Sequence, residues 1–78
     1  MTGRMSSMYP SIEQIQRWRK KYRPGTRIVL VYMDSVDSPP VGTKGTVVKV
    51  DSIGTLRVLW DNGSEEGIVL GEDRFEVI

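Results

Sequence analysis

Asn62-Gly63, set between two runs rich in apolar residues, restricts the fold of this chain more than any other feature. A two-residue type I′ turn needs positive φ at both central positions, and Asn-Gly accepts that at low cost. Such a turn predicts a register in which Asp61 faces Ser64, Trp60 faces Glu65, Val58 faces Gly67 and Leu56 faces Val69. Because strand side chains alternate, Leu56, Val58, Trp60 and Val69 then share one face. Thr55, Arg57, Leu59, Ile68 and Leu70 share the other, which is apolar enough to predict a cover.

One turn earlier, Asp51-Ser52-Ile53-Gly54 joins a strand over residues 46–50 to one over 55–60, with Gly54 free to take the left-handed position. Before these, the unbroken Ile-Val-Leu-Val-Tyr-Met of residues 28–33 predicts a first strand over 27–33, buried on both faces. A long loop over residues 34–42 follows. Pro39-Pro40 forbids ladder hydrogen bonds there, and Gly42 and Gly45 bracket a tight turn. Residues 66–70 and 75–78 read as the fourth and fifth strands. Five short strands with turns every eight to twelve residues predict a small barrel or rolled sheet.

At the other end of the chain, Pro10-Ser11 precedes Ile12-Glu13-Gln14, so Ser11 can cap a helix and Gln14 can reach back to complete a capping box. The spacing of Ile12, Ile15, Trp18 or Arg19, and Tyr22 predicts an amphipathic helix over residues 12–22, ended by Pro24-Gly25. So short a helix is unstable alone and must dock. The apolar outer face of Leu59, Ile68 and Leu70 is its predicted seat, with Trp18 and Trp60 in the core.

The chain has 78 residues, no Cys and no His. One domain over residues 11–78 is expected, preceded by a disordered leader over residues 1–10 in which Met1, Met5 and Met8 are alternative starts. The missing residue types exclude disulfides, thiol nucleophiles, zinc–thiolate sites, imidazole acid–base chemistry and haem ligation. No apolar run has the length of a signal peptide or a membrane span. A cytoplasmic, non-enzymatic protein without a cofactor is therefore expected. Asp34, Asp37, Asp51 and Asp61 read as turn-capping residues rather than as a metal or hydrolytic site.

Net charge is +1 but unevenly spread. Residues 1–27 hold seven cations against one carboxylate, a net +6, and residues 28–78 hold four against nine, a net −5. Arg17, Arg19, Lys20, Lys21 and Arg23 interleave with Trp18 and Tyr22, a pattern that suits phosphate contact with base stacking. It suits equally a docked helix whose cations complement an acidic barrel. Gly42-Thr43-Lys44-Gly45 matches the backbone-clamping loop of KH domains, but that loop joins two helices. This one leads into a strand, so a plain turn is the simpler expectation.

Taken together, Tyr22 to Arg27 (Tyr-Arg-Pro-Gly-Thr-Arg), Met33-Asp34, Pro39-Pro40 with Gly42-Thr43-Lys44-Gly45-Thr46-Val47, and Trp60-Asp61-Asn62-Gly63-Ser64 resemble the bacterial and phage family known as domain of unknown function 4314. The resemblance spans nearly everything after Ser11, and the Glu65-Glu66 pair departs from it. It implies an SH3-like barrel, often encoded on mobile elements, with no established activity to carry over.

The combined expectation is a mainly β protein, a five-stranded SH3-like barrel with a short N-terminal amphipathic helix, acting as a binding or adaptor module. A protein partner is expected ahead of a small molecule. The alternative is a nucleic-acid-binding accessory protein using the basic helix. Arg17, Arg19, Lys20, Lys21, Arg23 and Lys44 are the candidate partner-binding residues, with Gly42, Gly45, Gly54, Asn62 and Gly63 as turn residues. The direction of the helix cations separates the two readings: toward barrel carboxylates in the first, together into solvent in the second.

Overall fold

The computed structural model describes residues 10–78, so all but the last residue of the expected leader lies outside it. It contains one helix, α1 (Ile12–Lys21), and five strands: β1 (Arg27–Tyr32), β2 (Lys44–Val50), β3 (Thr55–Trp60), β4 (Ile68–Val69) and β5 (Arg74–Val77). The strands form one antiparallel sheet in the order β4-β3-β2-β1-β5.

Helix α1 begins where its sequence predicts. The Ser11 side chain accepts from the Gln14 N–H at 3.1 Å, satisfying one of the first-turn donors, and Glu13 lies in the positive field of that turn. Its stripe engages from Ile15 onward, with Ile15 buried, Trp18 and Tyr22 packed against the core, and Ile12 left 74% exposed. Tyr22 meets Phe75 of β5 edge-to-face at 5.2 Å. The helix therefore sits on the sheet's buried face, at the β2 end, where Arg19 Nε donates to the Val50 carbonyl at 3.0 Å. It does not cover Leu59, which is half exposed.

That difference follows from the turn at Asn62-Gly63. Gly63 N–H donates to the Trp60 carbonyl and Trp60 N–H to the Ser64 carbonyl, each at 2.9 Å, so residues 61–63 form a three-residue loop. Only Gly63 has positive φ, at 91°. Asn62 keeps an ordinary φ and its side chain accepts from the Ser64 N–H. The loop is a type I turn closed by a left-handed glycine, the usual three-residue hairpin. One extra loop residue shifts the register by one, pairing Leu56 with Ile68 and Thr55 with Val69. A shift of one turns every side chain over. Ile68 thus joins Leu56, Val58 and Trp60 in the core, while Val69 faces out. Trp60 Nε1 donates to the Glu66 carbonyl at 2.8 Å, which satisfies its one polar atom at 1% exposure. The Gly54 turn has the same form, with Asp51 Oδ1 accepting from the Ile53 and Thr55 N–H groups.

Two further expectations change. Strand β1 is buried on one face only: Ile28 and Leu30 are inside, whereas Val31 and Tyr32 are exposed because no element covers the outer face. Gly45 is not a turn residue but lies within β2, where a Cβ would fall 2.8 Å from the Trp60 ring and 2.7 Å from a Val58 methyl. Its role is to leave room for those side chains. Gly42 does occupy the turn, at φ 92°.

The hairpin geometry separates two neighbouring residues by experiment. Gly63→Ala forces a side chain into the left-handed region and should cost about 1–2 kcal/mol. Asn62→Ala loses only the side-chain bond to Ser64 and should cost less, about 0.5–1.5 kcal/mol. Denaturant midpoints would read both, and a larger loss at Asn62 would contradict the three-residue loop.

Candidate functional site

The candidate cations occupy three places. Arg17, Lys20 and Lys21 stand at three- and four-residue spacing on the exposed side of α1. Arg23 is exposed in the turn that leads to β1, where Thr26 N–H donates to its carbonyl. Arg19 lies nearer the sheet, tied to Val50. Lys44 is elsewhere, at the opposite end of β2 from Val50, about 20 Å along the strand at ~3.3 Å per residue. The fold therefore brings the helix cations together and leaves Lys44 out of the group.

Among the described residues, no candidate cation lies within ion-pair distance of a carboxylate. Among the described residues, the ion pair within 4.0 Å is Arg27 with Asp61, at 2.7 Å. Lys21 Nζ lies 5.4 Å from the Tyr22 ring centre, a cation–π contact that uses no carboxylate. The cationic side of α1 faces solvent.

Arg27 and Asp61 form the most organised polar group of the outer face. Arg27 Nη1 donates to Asp61 Oδ1 at 2.8 Å and to Thr46 Oγ1 at 3.0 Å, and Nη2 donates to Asp61 Oδ2 at 2.7 Å. This bidentate fork fits a planar guanidinium to a carboxylate. The hydrogen bonds from Arg27 hold the Asp61 carboxyl below its ordinary range, against an opposing desolvation effect, and the charges of Arg27 and Lys44 add to the lowering. Reading the sequence missed this pair because Asp61 looked like a turn cap. The strand ends bring it to Arg27 from 34 positions away.

Three other carboxylates, Asp51, Glu66 and Asp73, also hold structure. Asp51 closes its own turn, and Asp73 accepts from the Val69 N–H with Oδ2 and from the Asp34 N–H with Oδ1. Ser35 Oγ donates to Glu66. Among the described residues no three Asp or Glu gather as a metal site would need. Residues 42–45 do not form a KH-type clamp: they run from the turn before β2 into the strand itself, and the Gly42 N–H is already committed to the Leu30 carbonyl. Among the described residues no helix is long and apolar enough to cross a membrane.

The profile of a known family, Domain of unknown function (DUF4314), matches residues 11–78. The chain belongs to this family. No curated protein and no solved structure matches the chain. The DUF4314 match takes in the Ser11 helix cap, α1 and all five strands.

The Arg27–Asp61 pair gives a pH test. Because the folded-state Asp61 carboxyl is lowered, its contribution to stability is present above the ordinary carboxylate range and is lost as pH falls through the lowered value. Asp61→Asn should therefore melt below the parent at neutral pH, and the gap should close on acidification past that range. A gap that ignores pH would show that the pair is not what separates them.

Proposed function

We propose that this DUF4314 chain is a non-enzymatic binding module on an SH3-like barrel, and that the solvent-facing cations of α1 contact nucleic-acid phosphates. The barrel reading rests on two geometric facts. Strands β4 and β5 lie at opposite ends of the strand order yet are joined by residues 70–73 alone. In a flat sheet they would be about 19 Å apart, at ~4.8 Å per strand. The five steps from Val69 to Arg74 span at most about 18 Å fully extended, and this linker is instead folded into a turn at Gly71, with Glu72 N–H and Asp73 N–H both donating to the Val69 carbonyl. In addition, a ten-residue helix about 10–12 Å wide is too narrow to cover five strands, yet Ile28, Leu56 and Ile68 on three of them are 0% exposed. A sheet rolled on itself satisfies both.

The observation that carries the functional reading is that, among the described residues, the α1 cations make no ion pair with the nine carboxylates of the body. Arg17, Arg19, Lys20, Lys21 and Arg23 against Glu13 give this stretch a net charge of +4 (5 − 1), without an ion pair among the described residues, and such a segment attracts polyanions. Phosphate neutralisation with counterion release then gives sequence-independent binding. Tyr22 and Trp18 pack inward, so base stacking from the helix plays little part. The non-enzymatic reading is supported by the absence of His and Cys and by the structural engagement of Asp51, Asp61 and Asp73.

A labelled oligonucleotide titrated at several salt concentrations tests the proposal. Three phosphate contacts from Arg17, Lys20 and Lys21 should contribute about −2 to −3 to the slope of log K against log salt, and the triple Ala variant should lose that contribution. Affinity weaker than about 10⁻⁴ M at physiological salt would place the chain at the loose limit of non-specific binding and refute it.

A further inference from the structure

The outer face of the sheet carries a second cationic feature that the helix does not account for. Lys49 and Arg57 are direct cross-strand partners, one on β2 and one on β3. Like charges placed opposite each other destabilise a strand pair, and among the described residues neither has a carboxylate within ion-pair distance. Their position is built by two local irregularities. The register of β2 against β3 shifts between Val47 and Lys49, a bulge that leaves Val48 and Lys49 both exposed before Val50 turns inward. On the neighbouring segment Gly67 has no side chain, and a Cβ there would lie 3.2 Å from Arg57 Nη1. The guanidinium is thereby given room over the chain that leads into β4.

Between these groups lies a depression of about 300 Å³ with Val48 and Leu59, each half exposed, as its apolar floor and Glu65 at one side. Arg19 connects it to the helix, since its bond to the Val50 carbonyl places a third cation beside the residue that follows Lys49. Lys49 thus stands on the outer face one residue before the point of β2 that Arg19 grips, with Arg57 opposite it.

We infer that Lys49 and Arg57 form a second phosphate-contact point, so that a nucleic-acid strand held by α1 continues across the β2 bulge onto the outer face. This deepens the nucleic-acid reading and rests on it. Two cations opposed across a strand pair match two successive anionic groups of a backbone, and the aliphatic floor between them suits a sugar or base edge better than water. Glu65 opposes the contact and tunes its strength downward.

The test uses the whole chain and one labelled oligonucleotide, single-stranded and as a duplex. The Lys49→Gln/Arg57→Gln variant should flatten the log–log salt slope by about 1.4 for single strands and about 1.8 for duplex, at 0.7 and 0.9 per contact. Its melting temperature should be no lower than the parent's, because a repulsive pair has been relieved. Glu65→Gln should tighten binding without changing the slope. A parent-like slope in the double variant, while the Arg17/Lys20/Lys21 variant loses binding, would overturn the second contact and leave the helix reading standing. No binding by the parent would overturn both. A double variant that melts well below the parent would assign the two cations to holding the sheet, which also overturns it.

Discussion

Trp60 sits at 1% exposure in the middle of the core, and the glycine-closed loop after it decides what surrounds it. With residues 61–63 as the loop, the Trp60 N–H pairs with Ser64, the indole N–H with Glu66, and Ile68 turns in beside Leu56. Slipping that loop by one residue would bury Val69 and expose Ile68. Gly45 opposite Trp60 is part of the same constraint, since any side chain there would occupy the space of the indole. The helix stripe of Ile15, Trp18 and Tyr22 then completes a core whose strands leave it open at the β2 end.

The outer face is organised by what the inner face demands. Inner positions are filled by Ile28, Leu30, Val47, Val58 and Trp60, so Arg27, Thr46 and Asp61 alternate outward and meet in one hydrogen-bonded group. The β2 bulge likewise puts Lys49 level with Arg57, a like-charge pairing that stability alone does not favour. Of the body's carboxylates, Asp51 and Asp73 serve turns, Asp61 holds Arg27 and Glu66 accepts from Ser35, and among the described residues none lies within ion-pair distance of the basic helix.

Much of this was legible in the amino-acid sequence, for identifiable reasons. The Ser11 cap, the Asp51–Gly54 turn and the five strands each depend on residues close together in the chain, and each appears near its expected place. The register after Trp60 did not, because Asn-Gly serves both two- and three-residue loops and the choice is made by groups outside the turn. The burial of β1 on one face was hidden because Val29 and Val31 are apolar whether or not anything covers them. The site was less legible than the fold. The spacing of Arg17, Lys20 and Lys21 defines a shared side, but which carboxylates face that side depends on how α1 docks. Arg27 with Asp61 and Lys49 with Arg57 are pairings across strands and have no local signal.

Phosphate binding by the exposed side of α1 and by the β2 bulge is proposed here as one nucleic-acid contact. It is most directly tested by following backbone amide resonances of the labelled chain as an unlabelled oligonucleotide is added at low salt. Progressive shifts are expected at residues 17–23 and around Lys49 and Arg57, reversed by added salt, while the Gly42 turn and β5 stay still. Shifts confined to the loop over residues 34–43 or to the β5 edge, or shifts that persist at high salt, would contradict it.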